Sequence, residues 1–425
     1  MKFRKALKSD SVKDFLSLFF SNILQKIFGL VREPVVAFFF GSSLLYANYL
    51  LLRTIADFFS QFTVGNALKA NLLPKFTKVF EKYHDVSFKK IKIFSKKTMI
   101  LLFILSQIIQ FIIIWYLDCD YTTKLKLVIV SILLSISICF NFLNTIYLTI
   151  MQAEAKFYSY SLATTLNSFL VAVFIYPLTF FFKVFGLVVS RLIGILSLTI
   201  VYVIPMNKKK DGYEIPISRE DLNFPTLILG NFANIIIISS RLVSGLDGGV
   251  SITYYTYSVF ILNAVLTAII GNISTLLLRK VSIRKNSMFM LYSLLISVFV
   301  GIGLIFCLEF YGYELIKMIY MRGKFNLEDV QKTTQYIQHL SYAFVLIFIS
   351  TTLFQPFFSL PIESSRKVRR NISFIFIFSI LFGFICSLFT HYSVITESLI
   401  MIYSTTLVSL ILSVFSYNYY LKNNK

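Results

Sequence analysis

The sequence predicts an all-α polytopic membrane protein with about twelve transmembrane helices, arranged as two six-helix lobes around a central cavity. Of its 425 residues, 57% are hydrophobic and only 14% are charged, whereas soluble globular proteins average roughly 25% charged residues. The apolar residues also come in long blocks rather than in periodic stripes. Such a chain has too little polar surface to fold as a soluble globule.

The net charge of +21 raises the question of a nucleic-acid partner. Most Lys and Arg residues lie in short segments between the apolar blocks, which is the distribution that orients a protein in a membrane. We therefore expect the lipid bilayer, and no nucleic acid, as the partner of these charges.

Twelve apolar blocks are each long enough to cross a bilayer. A helix needs about 20 mainly apolar residues to cross about 30 Å of hydrocarbon. The predicted spans are 14–40, 45–68, 98–117, 126–150, 158–181, 184–205, 224–244, 252–278, 288–310, 334–360, 371–390 and 394–420. An even number of spans places both termini on the same side of the membrane.

Positive charge is distributed unevenly between the loops of the two sides. The two tails and the loops on their side hold 29 Lys and Arg residues, whereas the alternate loops hold seven. Because cytoplasmic loops carry the excess of Lys and Arg, both termini are predicted to be cytoplasmic. The first apolar block lacks a small-residue cleavage site, so it is expected to remain as a membrane helix.

The most polar break near the midpoint of the chain is 206–223, which contains Lys208-Lys209-Lys210-Asp211-Gly212. This break predicts an N-terminal six-helix lobe at 1–205, a cytoplasmic linker at 206–223 and a C-terminal six-helix lobe at 224–425. Two halves of equal span number are typical of secondary transporters.

Residue patterns of an enzyme or metal site are missing from the sequence. The three His residues do not lie near Cys, Asp or Glu at metal-ligand spacing, and the four Cys residues show no paired spacing. No phosphate-binding glycine loop or nucleophile turn occurs. We expect a transporter rather than an enzyme, without cofactor, coupled to the membrane potential or to an ion gradient.

Five cationic residues lie inside predicted spans: Lys26, Arg32, Arg53, Arg191 and Arg241. A Lys or Arg facing lipid at a helix centre costs about 2.5 to 3.5 kcal/mol, so we expect these side chains to face protein or water. A wet cavity with excess positive charge favours an anion. Diphosphate is a good candidate, because a guanidinium is a planar fork that matches phosphate oxygens.

Structural roles remain alternatives for these cations. Arg53 can pair with Asp57, which lies four residues later on the same helical face, and Arg241 can extend to the outer interface. Pro34 follows Arg32-Glu33 and removes a helical hydrogen bond, which predicts a bend in the first span.

The segment from Gln25 to Phe76 contains QKIFGLVREPVVAFFFGSS and continues to LLPKF. It resembles the first two spans of the MurJ (MviN) lipid flippases. The residues at the family's landmarks are Lys26, Gly29, Arg32, Glu33, Phe40-Gly41, Phe62 and Pro74. Three further matches follow in order: Asn144-Thr145 through Asn167, Ser251 with Tyr254-Tyr255, and Arg322-Gly323-Lys324-Phe325.

This resemblance implies a member of the multidrug/oligosaccharidyl-lipid/polysaccharide (MOP) exporter superfamily in the bacterial inner membrane. It implies a monomer that moves an undecaprenyl-diphosphate-linked saccharide, lipid II or a related glycan lipid, between leaflets by alternating access, for peptidoglycan of the cell wall or another surface polysaccharide. Lys26 and Arg32 would hold the diphosphate. The full set of expected substrate-binding residues is Lys26, Arg32, Arg53, Arg191, Arg241 and Ser251.

Several positions depart from the family pattern. Ala47 stands where the family usually has an acid, and Ser60-Gln61 stand where it has paired arginines. Tyr257, Ser258 and Ile261 replace an Asp-Arg pair and a following Glu. These departures leave a polyprenyl-linked glycan other than lipid II open as the substrate.

Three other functions remain open, and one of them is that of a non-catalytic membrane scaffold that lacks transport. An exporter of small molecules or organic cations in the same superfamily would need acids in its cavity, and few acids lie in the predicted spans. An integral-membrane glycan polymerase or acyltransferase would need a large outward loop with His or Arg pairs. The longest outward loop is predicted at 311–333, and it lacks His.

Overall fold

The computed structural model describes residues 10–64, 66–83, 86–206, 212–215, 217, 224–246, 248–270, 287–360, 362–389 and 392–423. These residues are helical apart from turns and one two-stranded sheet, which confirms the all-α class. The chain divides into two compact units. Unit 1 comprises Met1–Phe39 and Ile55–Gly230, and unit 2 comprises Phe40–Thr54 and Asn231–Lys425. The lobe and linker boundaries at 205, 206, 223 and 224 stay predictions.

Unit 1 contains seven described helices and shares an eighth, α2, with unit 2. They are α1 (Asp10–Phe40), α2 (Leu44–Val64), α3 (Asn66–Lys82), α4 (Lys89–Tyr116), α5 (Tyr121–Ala153), α6 (Phe157–Phe182), α7 (Val184–Met206) and α8 (Phe224–Gly230). Strands β1 (Val86–Ser87) and β2 (Tyr213–Glu214) pair in parallel.

Unit 2 contains the remaining described helices. They are α9 (Phe232–Val243), α10 (Ser251–Val265, followed by a π-helical turn at Leu266–Ile270), α11 (Ser287–Tyr320), α12 (Leu327–Phe358), α13 (Ile362–Phe389) and α14 (Val394–Asn423).

Eight helices of the described chain, α4 to α7 and α11 to α14, are long and apolar enough to cross a membrane. Helices α8 and α9 would form a ninth span if they count as one. Helices α1 and α2 coincide with the first two predicted spans, and they contain Arg32, Glu33, Arg53 and Asp57, but they are not among these eight. The predicted span 252–278 ends outside the described residues, so the total of twelve stays a prediction.

The predicted outward loop 311–333 is mostly helical, so this prediction was wrong. Helix α11 continues to Tyr320, and α12 already begins at Leu327. The 34 residues of α11 reach about 51 Å, which exceeds the hydrocarbon thickness of about 30 Å. The early start of α12 comes from a capping box, in which Asn326 Oδ1 accepts from Asp329 N at 2.9 Å and Asp329 Oδ2 accepts from Asn326 N at 3.0 Å.

The predicted continuous span 224–244 is broken, which also corrects the prediction. Helices α8 and α9 meet at an angle of 76°, and Asn231 between them has φ −118° and ψ 13°, outside the helical region. Gly230, the last residue of α8, has a low helix propensity. The chain passes from unit 1 to unit 2 at this break.

Part of the predicted linker 206–223 is held against unit 1. Tyr213 and Glu214 pair with Val86 and Ser87, and the rings of Tyr213 and Tyr83 stack with centroids 3.8 Å apart. The next residue, Ile215, is fully buried. These three linker residues, 213–215, therefore pack as part of unit 1.

The π-helical turn Thr199–Val203 of α7 lies beside a buried asparagine of α5. Asn144 Nδ2 donates to the carbonyl oxygen of Ile195 at 2.9 Å, and Thr199 Oγ1 donates to Asn144 Oδ1 at 2.8 Å. An inserted side chain that hydrogen-bonds a helical carbonyl is a common cause of such local widening.

Replacing Asn144 by leucine is expected to lower the free energy of unfolding by about 1 to 2 kcal/mol, because interhelical hydrogen bonds in membranes have about this value at most. Thermal unfolding of the purified protein in detergent measures the change. The matched control is Asn141→Leu on the same helix, whose side chain makes no hydrogen bond within the described residues. An equal loss in both variants would contradict the assignment.

Candidate substrate site

Arg32 and its neighbour Glu33 form an ion pair within α1. Arg32 Nη2 lies 2.6 Å from Glu33 Oε1, and Arg32 Nε donates to the same oxygen at 3.0 Å. The side chain of Glu33 is only 4% exposed, whereas that of Arg32 is 25% exposed. The carboxylate of Glu33 is thus enclosed by protein, whereas part of the Arg32 side chain remains accessible from outside the protein.

Glu33 occupies only part of the hydrogen-bonding capacity of Arg32. A guanidinium carries five N–H donors, and the pair with Glu33 uses the Nε and Nη2 groups. Within the described part of the chain, the other donors of Arg32 have no hydrogen-bond partner. A phosphate oxygen could bind there while Glu33 keeps the guanidinium in place.

Arg32 lies on the face of α1 that packs against α6. Residues 21, 25, 28 and 32 share one helical face, since successive residues turn by about 100°. On this face Ser21 Oγ donates to the carbonyl oxygen of Ser161 at 3.1 Å, and the rings of Phe28 and Phe169 lie 5.6 Å apart. Arg32 is therefore placed along a seam between two helices of unit 1.

Lys26 lies on a different face of α1. Six residues separate it from Arg32, which corresponds to a rotation of about 120°, and its side chain is exposed. The structure therefore does not bring Lys26 and Arg32 together on one face of α1, and a joint role in binding one diphosphate stays a prediction.

A cluster of hydroxyl and amide groups on the same seam was missed by the sequence reasoning. Gln25 Nε2 donates to Thr164 Oγ1 at 3.1 Å and to Ser21 Oγ at 2.9 Å. Ser21 Oγ also lies 2.7 Å from Thr165 Oγ1. The signal was available, because Ser21 and Gln25 are four residues apart on α1 and Ser161 lies at helical spacing from Thr164 and Thr165.

The other two cations of the first half of the sequence fall in different units. Arg191 is half-buried on α7 in unit 1, and Arg53 is half-buried on α2 within the stretch that belongs to unit 2. Asp57, its predicted partner, lies on the stretch of α2 that belongs to unit 1. The predicted pairing of Arg53 with Asp57 stays a prediction.

Arg241 and Ser251 lie near each other in sequence at the ends of two helices of unit 2. Arg241 is in the last turn of α9 and is only 7% exposed, which argues against extension of its side chain to the interface. Its neighbour Ser240 donates through Oγ to the carbonyl oxygen of Ser398 at 2.6 Å. Ser251 is the first residue of α10 and is half-buried.

The residues that replace the family's charged pair in α10 take part in packing. Tyr257 OH donates to the carbonyl oxygen of Gly41 at 3.3 Å, and Ser258 Oγ donates to the carbonyl oxygen of Thr333 at 2.9 Å. Both side chains are fully buried. This stretch of α10 therefore stabilises unit 2 and offers no charge to a ligand.

No cluster of His, Cys, Asp and Glu that could hold a metal ion occurs among the described residues. The groups described on α1 and α6 are the guanidinium and carboxylate of Arg32 and Glu33 and the hydroxyl and amide groups of Ser21, Gln25, Thr164 and Thr165. Such groups suit an anionic head that carries hydroxyl substituents.

The fold is that of the transporters of the MOP superfamily. A solved structure of a multidrug resistance MATE family transporter in an inward-facing conformation is 13% identical, covers 94% of this chain and 95% of its own, and has a TM-score of 0.68. A MOP superfamily transporter from Pyrococcus furiosus, described with a binding pocket of reverse polarity, is 14% identical over 98% of this chain and 96% of its own, with a TM-score of 0.62.

The lipid II flippase MurJ shares this fold. Its solved structure in an inward closed conformation is 20% identical, covers 96% of this chain and 87% of its own, and has a TM-score of 0.75. The sequence matches no protein-family model and no curated protein sequence. The resemblance to MurJ and to the MOP superfamily is thus confirmed at the level of the fold.

Proposed function

We propose that the protein is a flippase that moves a polyprenyl-diphosphate-linked saccharide from the cytoplasmic to the periplasmic leaflet by alternating access. The observation that carries the proposal is Arg32, a guanidinium within an apolar helix that keeps donors free beside a buried carboxylate. The fold shared with the lipid II flippase MurJ supports the same class of cargo.

In this mechanism, Arg32 binds the diphosphate through the donors that Glu33 leaves free. Glu33 orients the guanidinium, and Arg191 adds a second positive charge within unit 1. Lys26, Arg53, Arg241 and Ser251 stay proposed contacts of the head group. The isoprenoid tail remains in lipid, because it is as apolar as the acyl chains around it.

The proposed setting is the bacterial inner membrane, with a monomer whose two termini are cytoplasmic. We propose that no cofactor takes part and that the membrane potential or an ion gradient drives the cycle. A potential of 100 mV provides about 2.3 kcal/mol for each elementary charge that crosses.

An exporter of small molecules or organic cations is the second candidate, favoured by the similarity to the MATE family transporter. Such a cargo would be neutralised by buried carboxylates. In the described spans, Glu33 is engaged by Arg32, and Glu397 is buried at 7% exposure near the start of α14. The accessible N–H donors of Arg32 on α1 favour the anionic cargo.

Complementation tests the proposed cargo. A strain depleted of its lipid II flippase is expected to grow when it expresses this protein, if the glycan lipid is lipid II. Failure of growth together with rescue of an O-antigen or capsule export defect would assign another polyprenyl-linked glycan. Failure in every strain, with resistance to organic cations instead, would overturn the flippase proposal.

A further inference from the structure

The N-terminal end of α4 carries a dense set of lysines. Five of its first nine residues are exposed lysines: Lys89, Lys90, Lys92, Lys96 and Lys97. No acidic residue lies in the first turn of this helix. Lysines at a helix N-terminus oppose the helix dipole, so this arrangement is unfavourable for the helix unless an anion lies close to it.

The five lysines share one side of α4. At about 100° per residue they cover an arc of about 160°. The opposite side is buried, since Ile91 is 0% and Ser95 is 1% exposed. The lysines therefore form a single basic face, which we call the α4 lysine face.

One lysine of the α4 lysine face already has an acidic partner. Lys90 Nζ lies 3.0 Å from Glu214 Oε2 of strand β2. No carboxylate oxygen of the described residues lies within 4 Å of Lys89, Lys92, Lys96 or Lys97. Four positive charges on this face are therefore not neutralised by the described part of the chain.

The position of this face along α4 matches the lipid head groups. Trp115 and Tyr116, at the other end of the helix, are 82% and 83% exposed, as expected for aromatic anchors at a membrane interface. About 20 residues, enough to cross 30 Å, lead back from Tyr116 to Lys97. Lys92, Lys96 and Lys97 then lie within about 7.5 Å of the hydrocarbon edge, which is the depth of the head-group layer.

We propose that the α4 lysine face binds the phosphate groups of anionic phospholipids. In the orientation proposed above, these lipids belong to the cytoplasmic leaflet. Only this choice of leaflet rests on the proposed function. An acidic protein segment is less suited, because three of the four lysines lie at head-group depth. Anionic lipid neutralises the lysines and removes their conflict with the dipole of α4.

Amine footprinting of the full-length protein in nanodiscs tests this proposal without any variant. Acetylation rates of single lysines are compared between nanodiscs of phosphatidylcholine and nanodiscs of phosphatidylglycerol. Lys89, Lys92, Lys96 and Lys97 are expected to react about five-fold more slowly in phosphatidylglycerol, since each lysine near an anionic surface gains about 1 kcal/mol. Lys126 and Lys183, exposed lysines near the opposite helix ends, measure the general effect of surface potential.

A pair of matched variants provides the second test. Lys89, Lys92, Lys96 and Lys97 are replaced together by Gln, and the control variant carries Gln at Lys124, Lys183, Lys317 and Lys324, which gives the same change in net charge. Phosphatidylglycerol added to the protein in detergent is expected to raise the melting temperature of the control and of a Lys→Arg version of the face. The shift should fall by at least half in the Gln variant of the face.

Equal footprints in the two lipids, or equal melting shifts in the two Gln variants, would overturn the proposal. Protection by poly-glutamate in phosphatidylcholine nanodiscs, without protection by phosphatidylglycerol, would also overturn it and assign an acidic protein partner. Neither measurement requires transport. Failure of the flippase proposal in complementation would therefore leave this result unaffected, and the reverse also holds.

Discussion

Replacing Arg32 by alanine is expected to reduce the rate of flipping by at least about 30-fold, because loss of one partner from a desolvated charge pair costs about 2 to 5 kcal/mol. The substitution removes the donors that Glu33 leaves free for phosphate. The measurement is the initial rate at which proteoliposomes move a fluorescent polyprenyl-diphosphate saccharide between leaflets. Arg32→Lys keeps the charge but lacks the planar fork, so an intermediate rate is expected.

The alanine variant also leaves the buried carboxylate of Glu33 without this partner, and a loss of stability could imitate a loss of transport. A double variant, Arg32→Gln with Glu33→Gln, removes both charges, so no carboxylate remains that has lost its guanidinium partner. We expect it to unfold at a temperature close to that of the parent protein but to lack transport. Glu33→Gln alone keeps the guanidinium and should still transport. Wild-type transport by the double variant would refute a role of Arg32 in binding cargo.

The helical class and most helix positions follow directly from the apolar blocks. The bilayer requires long apolar stretches with every backbone group hydrogen-bonded internally, and blocks such as 98–117 and 371–390 coincide with helices α4 and α13. Hydropathy measures where the hydrocarbon ends and not where a helix ends. Hydropathy therefore could not show that α11 and α12 continue as polar helix beyond the ends of their apolar blocks. The start of α12 was nevertheless visible in the sequence, because Asn326 and Asp329 have the spacing of a capping box.

The break between α8 and α9 shows a second limit of the sequence. A block of suitable hydropathy predicts a span whether or not its helix is continuous. Gly230-Asn231 weakens a helix locally, but many helices tolerate such residues. Only packing decides that the chain turns by 76° at this point.

The candidate site was partly predictable. The energetic cost of a charge in hydrocarbon selected Arg32 as one of five cations without any knowledge of the fold. The pairing with Glu33 depends on side-chain conformations, which the sequence does not specify. The separation of Lys26 from Arg32 by about 120° could have been computed from helical periodicity alone. The hydrogen bonds of Ser21 and Gln25 to α6 required the packing of two helices.

Replacing Gly41 by alanine is expected to destabilise unit 2 by about 2 to 5 kcal/mol. Gly41 has φ +52°, a conformation that costs other residues about 1 to 2 kcal/mol. A Cβ atom at this position would also lie 2.5 Å from the carbonyl oxygen of Lys324, and such overpacking costs about 1 to 3 kcal/mol. Displacement of the turn would further weaken the hydrogen bond that Tyr257 OH donates to the carbonyl oxygen of Gly41.

Alanine variants of two other glycines of unit 2 distinguish the cost of the backbone conformation from the cost of overpacking. Each variant is measured by thermal unfolding in the same detergent. Gly248 has φ +65°, but a Cβ atom there would meet no atom within 4 Å, so Gly248→Ala reports the backbone term alone. Gly303 lies inside α11 and is also surrounded by open space. Gly303→Ala should be neutral or stabilising by up to about 1 kcal/mol, because alanine favours helix. If Gly41→Ala lowers the melting temperature no more than Gly248→Ala, the close approach of Lys324 to Gly41 is not rigid, and the packing of this turn contributes little to stability.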